Sequence, residues 1–271
     1  MPIKCPPAPV AANPALVIQT AILKAGSALT RFHSKSRAGN IYNPNTGKRI
    51  EIEEEGARFN PFPGAPAANV PTLYAADNIT AAALESIFHG VKHIPSPTFP
   101  RIGLKDSSYS ELVVNADLAV VELTNPQLRQ LVIARRRTSL KEEELIHTPP
   151  SQYPHTRTWA RFLHDSLPSL QGLCWRPRLG GTGLAYMLFG DRCAPGALTV
   201  TSGPTDVDSG SGQSVCDCSI GKHQDHRVDP KGRISFRPIL TRGESCIKGP
   251  RALQSARMMK PDWEVWKGAE K

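Results

Sequence analysis

The spacing of apolar and polar positions near the start of the chain predicts a helix followed by a strand. Residues 15–29 place apolar side chains at helical spacing and predict a short helix. Residues 29–33 alternate in character and predict a strand with Arg31 on one face and Phe32 on the other. The polar residues 34–55 then predict an insertion at the surface.

The next pattern combines a strand and a helix with a short junction between them. Residues 70–76 predict a strand, and residues 79–91 predict a helix that Asp77 or Asn78 can cap. Apolar side chains in this helix repeat with the period of a buried stripe, at Leu84, Ile87, Phe88 and Val91.

Later segments continue the mixture of strands and helices. Residues 117–123, 172–175 and 184–190 predict strands, whereas residues 125–132 and 156–165 predict helices. This order predicts an α/β or α+β fold, with a mixed central β-sheet flanked by helices.

The two ends of the chain differ from this middle part. Residues 1–14 are rich in Pro and Ala and predict a flexible N-terminal arm. Beyond residue 230 no periodic pattern is sustained, which predicts an irregular, poorly structured C-terminal tail over residues 231–271. We therefore expect one functional domain over residues 15–230.

Composition narrows the classes of protein that the chain can represent. Its 6 cysteines among 271 residues show no repeating interval, which favours a reducing, cytoplasmic location. The start of the chain has no signal-peptide pattern, and no apolar run is long enough to predict a membrane helix. The net charge of +9 suits nucleic acid, but also an anionic small substrate such as a dinucleotide. Because no aromatic-interleaved basic motif accompanies the charge, we do not expect direct nucleic-acid binding.

Tyr74 and Glu85 are the first candidates for a functional site. Tyr74 lies at the end of a predicted strand and Glu85 in the helix that follows, and such junctions commonly border ligand crevices. Taken alone, Glu85 could equally be a surface carboxylate at the edge of the apolar stripe. Arg31 could likewise be an ordinary salt-bridge partner.

Three short sequence blocks, which follow one another with suitable spacing, favour a functional role for these residues over a purely structural one. Residues 56–61 (GARFNP), 72–76 (TLYAA) and 83–89 (ALESIFH) together resemble the RES domain family. Residues 172–175 (GLCW) and 188–192 (LFGDR) are similar to a later signature of that family. The resemblance extends over roughly residues 29–230.

The resemblance implies a fold like that of ADP-ribosyltransferases and a role in NAD+ degradation. Members of the family hydrolyse or phosphorolyse the nicotinamide–ribose bond, some ADP-ribosylate proteins, and many are toxins paired with a DNA-binding antitoxin. NAD+ would then be the substrate, inorganic phosphate a possible co-substrate, and no separate cofactor or metal is expected. A homodimer is compatible with this picture.

The resemblance also assigns residues to the site. Its catalytic Arg, Tyr and Glu correspond to Arg31, Tyr74 and Glu85. The residues expected to line or support the NAD+ pocket are Arg58, His89, Trp175, Arg176 and Arg178.

The chain departs from the family at one position. Pro177 stands where the family has a Ser, so a hydroxyl and a backbone N–H are missing there. Arg176 or Arg178 could replace the lost contact. The alternative hypothesis is a RES-like binding module with weakened catalysis, and a less favoured one is a basic nucleic-acid-binding protein.

A metal site near the C-terminus is a weaker possibility. Cys216 and Cys218 lie close to His223 and His226, but a single residue between the cysteines is poor spacing for structural zinc.

Overall fold

The computed structural model describes residues 3–64, 68–87, 104–133, 138–178 and 183–208, and the backbone of three strands at 98–100, 224–228 and 233–238. All of these residues belong to one unit, Met1–Ile239. The remaining unit, Leu240–Lys271, lies outside the described residues. Within the described part of the chain, no helix has both the length and the apolar character that crossing a membrane requires.

Most of the described strands belong to one eight-stranded sheet. In chain order the strands are β1 (Ala21–Leu23), β2 (Ala28–Ser34), β3 (Thr72–Ala76), β4 (Thr98–Pro100), β5 (Ser107–Val114), β6 (Leu118–Glu122), β7 (Val132–Ile133), β8 (Thr138–Ser139), β9 (Gly172–Trp175), β10 (Ala185–Phe189), β11 (Leu198–Asp206), β12 (Gln224–Val228) and β13 (Arg233–Pro238). The large sheet has the order β1-β6-β9-β10-β3-β2-β5-β11. Its β6–β9 pair is parallel and the other pairs are antiparallel, so the predicted mixed sheet is confirmed.

Two smaller sheets complete the strand pairing. Strands β12, β13 and β4 form one of them, and β7 and β8 form the other. Strand β13 lies in the segment for which the sequence pattern predicted no regular structure.

The helices are short except for the last one. They are α1 (Ile79–Ser86), α2 (Asn125–Leu128), α3 (Glu142–Ile146) and α4 (Tyr153–Ser166). The predicted cap of α1 is confirmed, because the Asn78 side chain accepts a hydrogen bond of 2.8 Å from the Ala81 N–H. The helix ends at Ser86 rather than at the predicted residue 91, and its buried residues are Ala81, Ala82 and Ala83. Of the predicted apolar stripe, Leu84 and Ile87 are partly buried against the same core, and Phe88 and Val91 lie outside the described residues. Alanines let a helix approach strands closely, and here they pack with Phe32 of β2 and Ala76 of β3.

The two faces of the large sheet are covered differently. Helix α4 packs on one face through Trp159 and Leu163, which join a core with Trp175 and Phe189 of β9 and β10. Side chains of the opposite face form a second core that includes Leu29, Leu73, Leu112 and Leu188. The predicted α+β arrangement is therefore the observed one.

The segment expected to be a flexible arm lies along α4. The Cys5 N–H donates to Gln152 Oε1 over 3.2 Å, and the Trp159 indole N–H donates to the Pro6 carbonyl over 2.8 Å. Farther along, the Asn13 N–H donates to Ser166 Oγ over 2.8 Å. These contacts hold residues 5–13 against both ends of the helix.

The predicted helix over residues 15–29 is wrong. Part of this segment forms β1, which pairs antiparallel with β6 through Ala21–Leu23. Local apolar spacing could not anticipate this, because the hydrogen-bonding partner, Leu118–Val120, is about a hundred residues away in the sequence. The strand over residues 29–33 is confirmed as part of β2.

Candidate functional site

A small cleft opens where strands β2 and β3 separate. The two strands share a single paired position, Thr30 with Ala76, whereas β2 pairs with β5 along its whole length. Continuing the β2–β3 register would place Phe32 opposite Tyr74, and both side chains line the cleft instead. The cavity volume of the cleft is about 10 Å³, which is about what one water molecule needs. Its lining residues are Phe32, Tyr74, Ala75, Ala82, Glu85, Ser86 and Ala185.

Tyr74 is held on β3 by one hydrogen bond and one aromatic contact. Its phenol oxygen accepts from the Phe59 N–H over 3.3 Å, and its ring meets Trp175 edge-on with centroids 6.0 Å apart. Burial raises the pKa of Tyr74 above its ordinary value, and this outweighs the opposing effects of the Phe59 N–H and of the nearby Arg58 charge. The phenol is therefore protonated at neutral pH and can donate a hydrogen bond.

Glu85 faces the same cleft from helix α1. Its Oε1 accepts a hydrogen bond of 3.3 Å from the main-chain N–H of Arg178, which follows strand β9. Pro177 is buried, the Arg176 side chain is exposed and that of Arg178 is half-buried. The segment that carries Pro177 therefore contributes a donor to the carboxylate, through the next residue.

Arg58 lies behind Tyr74 and does not line the cleft. Its Nη1 donates to the carbonyls of Leu145 and Thr148 over 3.1 and 3.3 Å, and its guanidinium carbon lies 5.1 Å from the centre of the Tyr153 ring. Its buried Nε has no hydrogen-bond partner among the described residues. Arg58 thus places a fixed positive charge near Tyr74.

Arg31 is directed away from the cleft. Its Nη1 donates to the carbonyls of Gly39 and Ile41 over 2.7 and 2.8 Å. Burial lowers the pKa of Arg31 to about 10, so the group remains charged at neutral pH. Because side chains alternate along a strand, Arg31 and its neighbour Phe32 lie on opposite faces of β2. The structure therefore brings Tyr74 and Glu85 together and does not bring Arg31 to them.

Trp175 forms part of the wall behind the cleft. It is fully buried and packs edge-on against Phe59 with centroids 5.0 Å apart, and its indole N–H has no partner among the described residues. This position supports Tyr74 by packing rather than by contact with the cleft.

Several predicted residues lie outside the described part of the chain. These are His89 and the candidate metal ligands Cys216, Cys218 and His223; of His226 only the backbone is described.

The sequence pattern missed three residues that shape the site. Phe32 lines the cleft, and Thr156 and Arg157 of α4 are fully buried against the segment that carries Arg58 and Phe59. The signal that could have indicated Arg157 is a charged residue on the apolar face of an amphipathic helix.

The arrangement combines two complementary groups across one small cleft. A protonated phenol can donate to a polar ligand, while the Glu85 carboxylate can accept hydrogen bonds or stabilise positive charge.

The chain matches one family of known proteins over most of its length. No curated protein matches the chain significantly. The family model of the RES domain matches residues 18–208, a span that includes Tyr74, Glu85 and the strands and helices that position them. By this match, the chain belongs to the RES domain family.

Proposed function

We propose that this protein degrades NAD+ by breaking the bond between nicotinamide and ribose. Membership of the RES domain family is consistent with an NAD-related, toxin-like function. The observation that carries the proposal is that Tyr74 and Glu85 line one cleft, with the carboxylate of Glu85 held by the Arg178 N–H.

Glu85 would act on the ribose. Cleavage of an N-glycosidic bond develops positive charge on the sugar, as in the transition state of glycoside hydrolysis. A carboxylate that is already oriented by a main-chain donor stabilises that charge with little reorganisation. Hydrogen bonds from the ribose hydroxyls to the other carboxylate oxygen would align the sugar.

Tyr74 would act on the nicotinamide. Its phenol oxygen accepts from the Phe59 N–H, so the phenol hydrogen can be directed to the carboxamide oxygen. The edge-on contact with Trp175 keeps the ring in place.

The reaction needs little acid assistance. When the bond between C1′ and the ring nitrogen breaks, its electron pair returns to the cationic pyridinium ring, and nicotinamide leaves as a neutral molecule. The oxygen of water or phosphate then bonds to C1′, and a proton is released to solvent if water is the nucleophile. We assign a positioned carboxylate, rather than a general-acid pair, as the main catalytic group.

The arginines would stabilise the anionic parts of the substrates. The resemblance assigns Arg31 to the diphosphate or an attacking phosphate, since a guanidinium matches phosphate oxygens. In the described geometry Arg31 is buried on the face of β2 opposite the cleft, so this role would require its side chain to leave the Gly39 and Ile41 carbonyls. Arg176 and Arg178 are further candidates at the exit of β9.

The test is release of nicotinamide from NAD+ by the purified chain, followed by chromatography with and without inorganic phosphate. Glu85→Gln is expected to lower kcat by about 100-fold or more, because one preorganised electrostatic group is lost. Tyr74→Phe is expected to lower kcat/KM by about tenfold, because one hydrogen bond is lost. Glu111→Gln, at an exposed carboxylate of β5, is the matched control and should leave turnover unchanged. Undiminished release by Glu85→Gln contradicts the site assignment.

A binding module without turnover is the second candidate function. Two observations favour it: the buried Pro177 supplies no hydroxyl, and the cleft volume of about 10 Å³ is far below the usual range of ligand pockets, about 300–1,000 Å³. This alternative predicts NAD+ binding by calorimetry with no nicotinamide release in either buffer.

We further propose a cytoplasmic toxin whose partner is a DNA-binding antitoxin. Coexpression with a candidate antitoxin should give a complex on size-exclusion chromatography and restore growth that the chain alone inhibits. Glu85→Gln should relieve the inhibition without the antitoxin. Salt-sensitive binding of the isolated chain to DNA or RNA would instead favour the third hypothesis, a nucleic-acid-binding protein.

A further inference from the structure

Two successive residues of α4 each hold a carbonyl of the segment that precedes Phe59. Thr156 and Arg157 are both fully buried. The Thr156 hydroxyl donates to the Arg58 carbonyl, and Arg157 Nε donates to the Ala57 carbonyl over 3.0 Å. The backbone at residues 57–58 is therefore fastened to the helix at two adjacent acceptors.

Fastening the Arg58 carbonyl also orients the next N–H group. The Arg58–Phe59 peptide bond is trans, and in a planar trans peptide the C=O and N–H point in opposite directions. With the carbonyl turned toward Thr156, the Phe59 N–H points the other way and meets the Tyr74 oxygen at 3.3 Å. A rotation of this plane would remove both contacts together.

The Phe59 N–H in turn sets the direction of the Tyr74 hydroxyl. A phenol has one hydrogen to donate and an oxygen that can accept. Because the Phe59 N–H occupies the accepting side of the oxygen, the phenol hydrogen cannot be donated to that amide and is available to a group in the cleft that Tyr74 lines.

We propose that Thr156 is a positioning residue for Tyr74, acting through the Arg58–Phe59 peptide plane. The proposal rests on the function assigned above insofar as Tyr74 contacts the nicotinamide. It extends the site to a residue of α4 that is not among the residues that line the cleft.

A purely helical role for Thr156 is the alternative. The same hydroxyl oxygen lies 3.0 Å from the Tyr153 carbonyl, a contact that threonines commonly make within helices. Thr158 makes the equivalent contact with the His155 carbonyl over 2.7 Å. Thr158→Val is thus the matched control, because it removes the same kind of hydrogen bond within α4 and leaves the Arg58 carbonyl unaffected.

The kinetic test compares Thr156→Val, Thr156→Ser and Thr158→Val, each with Tyr74 or with Tyr74→Phe. Thr156→Val removes the hydroxyl at nearly constant shape and should lower kcat/KM for NAD+ about fivefold to tenfold. Thr156→Ser restores the hydroxyl and should recover activity to within about twofold. In the Tyr74→Phe background, Thr156→Val should lower kcat/KM less than about twofold, because the hydroxyl that Thr156 positions is absent. An equal loss with and without the Tyr74 hydroxyl overturns the proposal.

A second measurement tests whether Thr156 positions the Phe59 N–H, and it does not depend on turnover. Native-state hydrogen exchange of the Phe59 amide, compared with amides of strand β9, reports this one hydrogen bond separately from global stability. Thr156→Val should speed exchange at Phe59 at least about tenfold relative to the β9 amides, whereas Thr156→Ser and Thr158→Val should not. Unchanged Phe59 exchange in Thr156→Val overturns the positioning role. If the wild-type chain releases no nicotinamide, the proposed function fails, and this measurement still settles the role of Thr156.

Discussion

Replacement of Arg157 tests how the fold holds the backbone behind the site. Arg157 is fully buried and donates four hydrogen bonds to main-chain carbonyls, those of Ile50, Ile52, Glu53 and Ala57, over 2.6 to 3.0 Å. Burial lowers the pKa of Arg157 below its ordinary value, as expected for a cation whose partners are mainly neutral carbonyls. One side chain therefore organises the whole turn that leads into Arg58.

The loss on Arg157→Met can be worked out from these bonds. Each carbonyl left without a donor costs about 1 kcal/mol, or about 4 kcal/mol for the four. Relief of the buried charge offsets part of this, so we expect a net loss of about 3 kcal/mol in the free energy of unfolding. For a domain of this size that corresponds to a fall in Tm of about 6–12 °C. Arg157→Lys keeps the charge, but its single nitrogen cannot reach four separated carbonyls. This variant should therefore recover only a small part of the lost free energy of unfolding.

Urea denaturation followed by tryptophan fluorescence measures the effect, since Trp159 and Trp175 are buried. Arg161→Met on the same helix is the matched control. Its side chain is 51% exposed and pairs with Asp165, so the expected change is below about 0.5 kcal/mol. A loss below about 1 kcal/mol for Arg157→Met would refute the reasoning that these four bonds determine the turn.

Three further predictions follow, one from a single hydrogen bond and two from the burial of titratable groups. Arg178→Pro removes the N–H that orients Glu85 and should lower kcat about tenfold. Arg178→Ala retains that N–H, so its loss of kcat should be less than half as large. Equal losses of kcat in the two variants would contradict this role of the N–H. Burial lowers the pKa of His33, so the unfolded chain binds this proton at higher pH than the folded protein does. Stability should therefore fall as the pH drops below about 6.5, and Tm measured across this range should depend less on pH in His33→Gln. Burial raises the pKa of Cys5 and of Cys174 to about 12, so iodoacetamide at neutral pH should label both only after unfolding, as mass spectrometry would show.

Local sequence was sufficient to predict the part of the site that is formed by a strand and a helix adjacent in the chain. Tyr74 and Glu85 lie on a strand and a helix joined by two residues, Asp77 and Asn78. The strand alternation and the helix cap both depend on side chains close in sequence, so the pattern predicted both elements, although the helix ends at Ser86 and not at residue 91. The helix start at Ile79 was also predicted correctly.

Contacts between distant segments could not be predicted in the same way. The Arg178 N–H and Glu85 are 93 positions apart, and Arg157 is about a hundred positions from each carbonyl that it holds. Strand β1 was predicted as a helix for the same reason, since its partner β6 is remote. Such contacts depend on how the whole sheet is assembled, which no local period encodes.

The position of Arg31 depends both on the local sequence and on the tertiary structure. The sequence by itself determined that Arg31 and Phe32 lie on opposite faces of β2, because side chains alternate along any strand. It also determined the family, through three short blocks around Arg58, Tyr74 and Glu85. Only the tertiary structure decided which face borders the cleft: β2 and β3 separate beyond one paired position, and the gap opens on the side of Phe32. The direction of Arg31 follows from that separation, which is a property of the assembled sheet rather than of the strand.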